Sequence, residues 1–189
     1  MRKLKILLFI VLSFLSLAAV SAAATRTALV IGNGAYKSAP LKNPVNDAKD
    51  IAKALKSVGF EVDLKLNATQ ESMENAIQNF GKRLGNNAVG LFYYAGHGVQ
   101  YKGNNYLIPI GAMDRVTAPD HLRYKTVDAG YVLGAMKDTG NMLNIVILDA
   151  CRNNPFRSFS RSMNAGLKRI QGAEGTIIAY STSPGKVAL

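Results

Sequence analysis

Apolar residues along the chain recur with two different periods. Thr27–Ile31 (TALVI) is almost wholly apolar, as a strand buried on both faces would be. Beyond it the spacing lengthens: Ala48, Ile51, Ala52 and Leu55 share one helical face, with Asn46 as the expected cap and Gly59 as the stop. Phe60–Leu66 (FEVDLKL) alternates like a strand with one wet face. Thr69 then caps a second helix whose stripe is Met73, Ile77, Phe80 and Leu84. Val89–Ala95 (VGLFYYA) reads as a third strand, and Tyr106–Ile110, containing Pro109, as a short edge strand or hairpin arm. A helix over 128–137 and a strand over 144–148 follow. Residues 152–172 have weak periodicity and many Arg, Lys, Ser and Asn, the pattern of a long exposed loop. Thr176–Tyr180 (TIIAY) is one more strand. Strands separated by helices predict an α/β fold, a mostly parallel sheet covered by helices on both faces. In such sheets ligands sit beyond the carboxyl ends of the strands.

The first 24 residues follow neither period. Arg2, Lys3 and Lys5 precede a run from Ile6 to Val20 broken only by Ser13 and Ser16, and small residues follow through Ala24. Charged start, apolar middle and small-residue exit make a secretory signal peptide, with cleavage expected near Ala22 or Ala24. The apolar run is short of the roughly 20 residues that a membrane span needs. The expected product is an exported domain, residues 25–189, periplasmic or extracellular, with no stable membrane anchor after cleavage.

Charge changes this picture little. Loss of Arg2, Lys3 and Lys5 takes the net charge from +11 to +8. The remaining Lys and Arg are scattered, and no aromatic-basic motif accompanies them, so a solvated basic surface is expected rather than a nucleic-acid site. Gly32-Asn33-Gly34 has Lys37 where a dinucleotide fingerprint needs its third Gly, and reads as a turn leaving the strand. No set of ligands at zinc spacing is present, so no metal and no cofactor is expected. The chain has one Cys, hence no internal disulfide. An exported protein seldom keeps a single thiol without either burying it or using it.

That thiol, Cys151, closely follows the strand 144–148, in "DACRNNP". Alternation puts Asp149 and Cys151 on the same side of the chain. His97 closely follows the strand 89–95, between Gly96 and Gly98, in "YYAGHG". Both therefore lie at the carboxyl edge of the sheet. A Cys–His pair is the minimum set for thiol acyl transfer, the nucleophile and its base. The other histidine, His121, sits in "APDHLRY" with no comparable setting and reads as structural.

"YYAGHG", "DACRNNP" 54 residues on, and the opening "TALVIGNGAY" together resemble the caspase-like cysteine peptidases, above all the prokaryotic, metacaspase-like branch. Asp149 and Asn153 stand where caspases proper have Gln and Gly. The resemblance implies His97 as general base and acid and Cys151 as nucleophile. It implies an oxyanion hole from the backbone amides of Gly98 and Cys151, and a pocket for Arg or Lys built on Asp47, in "LKNPVNDAKDIAKAL", and Asp149. Asp47 would equally suit the first turn of a helix. The resemblance also implies a further helix and strand after TIIAY, so the caspase-like sheet is expected to be incomplete at that edge. Three readings stay open: an endopeptidase acting on polypeptides after basic residues, a catalytically weak or inert caspase-like binding module, and another Cys-based acyl transferase. No acidic cluster suggests a calcium site, and none is expected.

Overall fold

The computed structural model describes residues 24–151, 155–156, 167–170, 172 and 174–181. Residues 1–23, where the signal peptide is expected, and most of the 152–172 stretch, Arg152 and Asn153 included, lie outside them.

Five parallel strands form the main sheet: β1 (Thr25–Gly32), β2 (Glu61–Leu66), β3 (Ala88–Tyr101), β6 (Leu143–Cys151) and β7 (Thr176–Tyr180). Their order is β2-β1-β3-β6-β7, all pairs parallel. The expected α/β architecture is thus the observed one. β3 outruns β1 and continues as an antiparallel pair with β4 (Asn104–Leu107), which pairs in turn with the short β5 (Val127–Asp128). Lys102 and Gly103, both at positive φ, make the two-residue turn between β3 and β4. Positive φ at both central residues is the requirement of a type I′ hairpin, whose twist matches its strands.

Helix α1 (Pro44–Ser57) covers one face of the sheet, and α2 (Gln70–Arg83) and α4 (Ala129–Lys137) the other; a short α3 (Leu122–Lys125) precedes β5. The division follows strand alternation. Ala28, Val30, Leu91, Tyr93 and Ala95 pack with Ala48 and Ala52 of α1, whereas Leu29, Ile31, Phe92 and Tyr94 pack with Met73, Ile77, Phe80 and Met136. Thr69 caps α2 as expected, its hydroxyl accepting from the Ser72 N–H. α1 starts two residues before the expected cap at Asn46: Asn43 is the N-cap and Pro44 opens the helix. Proline lacks the N–H that would be unsatisfied there and already has a helical φ.

Gly32 is not in the expected turn. It ends β1, where a Cβ would lie 2.4 Å from the Pro44 carbonyl oxygen and 2.6 Å from the Ala48 Cβ. The missing side chain lets the start of α1 settle on the sheet. Gly32→Ala is expected to cost about 1–3 kcal/mol by overpacking, read from chemical denaturation midpoints; an unchanged midpoint would contradict this packing role. Within 167–170, Lys168 and Arg169 are exposed as expected, but the segment is anchored at its backbone and at Leu167. Leu167 is buried, the Lys168 N–H and C=O both bond the Asn105 side chain, and the Ile170 N–H donates to the Tyr180 hydroxyl. The Asn105 amide and the Tyr180 hydroxyl, from two other strands, satisfy that backbone, which local composition does not reveal.

Candidate active site

Strand order reverses between β1 and β3: the chain goes from β1 outward to β2, then returns to the other side of β1 for β3. The carboxyl ends beside this reversal form the crevice where α/β sheets hold ligands. Asp47 lies in the first turn of α1, just after β1. His97 lies in β3, and Asp149 and Cys151 in β6, with His97 and Cys151 register partners at the end of that ladder. All four residues singled out in the sequence therefore meet at one end of the sheet. One detail differs: His97 and Cys151 lie within their strands, since the β3–β6 ladder runs on through Gly96 to Cys151. His121 is exposed on a short 3-10 turn, its Nδ1 3.3 Å from the Thr117 hydroxyl.

His97 is buried, with 4% of its surface exposed. Its Nε2 lies 2.8 Å from the carbonyl oxygen of Ala39. A carbonyl can only accept, so Nε2 carries the proton and Nδ1 carries the lone pair. Nδ1 is buried and has no hydrogen-bond partner among the described residues. Burial pushes the imidazole's pKa below its ordinary 6.5, against the smaller opposing pull of the Ala39 carbonyl. At neutral pH it is a neutral ring with an open acceptor.

The backbone around His97 is held from two sides. Its N–H donates to the Tyr36 hydroxyl at 3.1 Å, and its carbonyl accepts from the Tyr94 hydroxyl at 2.8 Å. The Tyr36 ring sits 4.6 Å from the imidazole, tilted by 58°. Gly96 is required here: a Cβ would lie 2.6 Å from the Tyr94 hydroxyl and 2.8 Å from that of Tyr36. The Ile108 N–H also donates to the His97 carbonyl, so Gly98 and Leu107 are an antiparallel pair without mutual bonds. The Gly98 N–H consequently points away from β4, toward the β6 side, where the ladder ends at Cys151. A backbone N–H so placed can donate to a developing oxyanion.

A second cluster sits beside the first. Tyr93 donates to Asp149 Oδ2 at 3.3 Å, and both residues lie near Asp47. Partial burial holds the Asp47 carboxyl above its ordinary 3.8, helped by the charges of Asp149 and Asp50. Tyr93 is pushed well above the ordinary tyrosine value, by burial first and then by the charge of Asp149, and so stays a donor. No salt bridge among the described residues neutralises Asp47 or Asp149. The described residues contain no group of His, Cys, Asp and Glu suited to a metal ion.

Several residues of the site escaped the sequence reading. Asn33 is buried, accepts from the Ala68 N–H and donates to the Ala68 and Ile108 carbonyls, tying the loop after β1 to two others. Asn67, at positive φ, accepts from the N–H groups of Gly34 and Ala35. Tyr36, Tyr94 and the Ala39 carbonyl complete the set. The one local sign was a run of Asn and Gly, which also suits any turn.

Comparison with known proteins agrees with this geometry. A caspase-domain family model matches residues 25–189. The chain is 33% identical over 128 residues, 67% of its length, to the human mucosa-associated lymphoid tissue lymphoma translocation protein 1, and equally to its mouse homolog. The chain covers 15% of the length of these relatives. The crystal structure of protein GSU0716 from Geobacter sulfurreducens is similar in fold, with a TM-score of 0.55 and 19% identity over 69% of this chain and 52% of that one. By the family match and by the sheet that carries its His and Cys, the chain belongs to the caspase-domain family.

Proposed function

We propose that the chain is a cysteine endopeptidase that cuts polypeptides after Arg or Lys, with Cys151 as nucleophile and His97 as base and acid. One observation carries the reading. His97 is held with Nε2–H on a carbonyl and Nδ1 open, in register with the one cysteine of the chain. Nδ1 takes the Cys151 thiol proton as sulfur attacks the scissile carbonyl carbon. The N–H groups of Gly98 and Cys151 stabilise the resulting oxyanion. Imidazolium then returns its proton to the leaving amine as the C–N bond breaks, and His97 next takes a proton from the water that hydrolyses the thioester. Asp47 and Asp149 receive the basic side chain. The reading places the chain in the metacaspase-like branch, since Asp149 and Asn153 replace Gln and Gly of the caspase signature. It also keeps the exported, periplasmic or extracellular location, on the leader-like first 24 residues. The deciding experiment is labelling of the purified domain with a thiol-reactive Arg-peptide probe. A one-to-one adduct on Cys151, lost in His97→Ala, is expected; no adduct, or one indifferent to His97, would overturn the dyad.

The depressed His97 pKa fixes a pH dependence. The base is active while neutral, so the acid limb of kcat/KM is expected below pH 6.5, the ordinary histidine value. The same shift acts on stability. The unfolded chain binds this proton more readily, so the contribution of His97 is complete above 6.5 and lost as pH falls through the lower folded value. An acid limb above 6.5 in a pH–rate profile would contradict the assignment.

A further inference from the structure

We infer that the hydroxyls of Tyr36 and Tyr94 are positioning groups for His97, and that Tyr36 is the principal one. The inference deepens the dyad reading and rests on it. Residues 37–40 are exposed, yet Ala39, at φ +55°, supplies the carbonyl that holds Nε2. An exposed four-residue tip cannot by itself hold a carbonyl still. Tyr36, at its base, is 3% exposed. Its hydroxyl donates to the Ile108 carbonyl at 2.9 Å and accepts from the His97 N–H. The same residue thus fixes the backbone of His97 and the root of the loop that fixes its ring.

Tyr94 acts on the carbonyl of the same residue, with its hydroxyl within 2.8 Å of the His97 carbonyl and 3.0 Å of the Ile108 carbonyl. The two hydroxyls are 3.3 Å apart, at the place where Gly96 has no Cβ. Burial keeps Tyr94 protonated far above its ordinary value, so it remains a donor at any working pH. The hydroxyls bond the backbone of His97 and Ile108. Their effect on chemistry passes through the imidazole: a base displaced by a fraction of an ångström no longer meets the thiol proton along a usable line.

The test uses the single cysteine as its own reporter. Wild type, Tyr36→Phe and Tyr94→Phe are alkylated with iodoacetamide across a range of pH, and kcat and KM are measured on an Arg peptide. A Met136→Ala variant, destabilised in the core away from the loop, is the control. Tyr36→Phe is expected to move the thiolate titration toward the ordinary cysteine value of about 8.5, and to lower kcat roughly ten- to a hundredfold with KM nearly unchanged. Tyr94→Phe should shift both in the same direction by less, and Met136→Ala should lower the melting temperature without moving the titration. A depressed wild-type titration that neither Phe variant alters sinks the positioning role and leaves the dyad standing. An ordinary wild-type titration with no turnover sinks both.

Discussion

Cys151→Ala is expected to abolish peptide cleavage with little change in thermal unfolding. His97→Ala should lower kcat by roughly 10²–10⁴-fold, the usual worth of a general base. The two variants are expected to differ in stability. His97 is buried, its ring packs on Tyr36, and its Nε2 donates to Ala39. Its removal therefore empties a packed site and leaves the Ala39 carbonyl without that partner. His97→Gln, closer in volume, should recover part of the stability and none of the turnover. Losses at the two positions should not add, because nucleophile and base act as one unit. The Cys151→Ala, His97→Ala double variant is expected to be no slower than Cys151→Ala. Wild-type turnover in Cys151→Ala would remove the nucleophile assignment. A collapsed fold in that variant would make Cys151 a packing residue instead.

The second large effect concerns the side chain before the scissile bond. Asp47 and Asp149 approach closely enough for the charge of Asp149 to raise the Asp47 pKa. Two carboxylates without a cation repel, and a guanidinium can bond both through its planar fork. A charged hydrogen bond contributes about 1.5–3 kcal/mol, and about 1.4 kcal/mol is tenfold in rate. Arg should therefore exceed Gln at that position by about a hundredfold in kcat/KM, with Lys between them and Asp lowest. Asp149→Asn should remove most of the Arg advantage. It also changes the group that accepts from Tyr93 at 3.3 Å, so Tyr93→Phe should weaken Arg selection by a smaller factor. The raised Asp47 pKa carries a sign. The carboxyl holds its proton more tightly folded than unfolded, so its contribution to stability is complete below 3.8 and lost as pH rises through the folded value. Asp47→Asn is therefore expected to raise the melting temperature at neutral pH while lowering the Arg preference. Preference for Asp peptides, or Arg preference untouched by Asp149→Asn, would exclude this pocket.

Much of this site was legible along the chain because its key residues are strand-end residues. Gly96-His97-Gly98 and Asp149-Ala150-Cys151 each close an apolar run, and the parallel sheet brings every carboxyl end to one edge. Residue type and position along the run suffice for that inference. The exact end of a strand was not legible. VGLFYYA stops being apolar at Ala95, but its backbone bonds on to Tyr101, because β6 and β4 offer partners on either side of it. Hydrogen bonding, not side-chain polarity, decides where a strand ends.

By itself, the sequence determined the alternation of the five main strands with their covering helices, and the pairing of one histidine with one cysteine at the sheet edge. Periodicity carries that information locally, and a parallel topology turns it into proximity. The tertiary structure alone decided which ring nitrogen of His97 is open, through a carbonyl 58 residues away in sequence. It alone brought the Tyr36 and Tyr94 hydroxyls to the N–H and the carbonyl of one residue, and placed Tyr93 against Asp149. These are contacts between loops, helix ends and strands far apart in the chain, and no local pattern encodes them. They follow from where folding puts backbone groups that cannot be left buried without a partner.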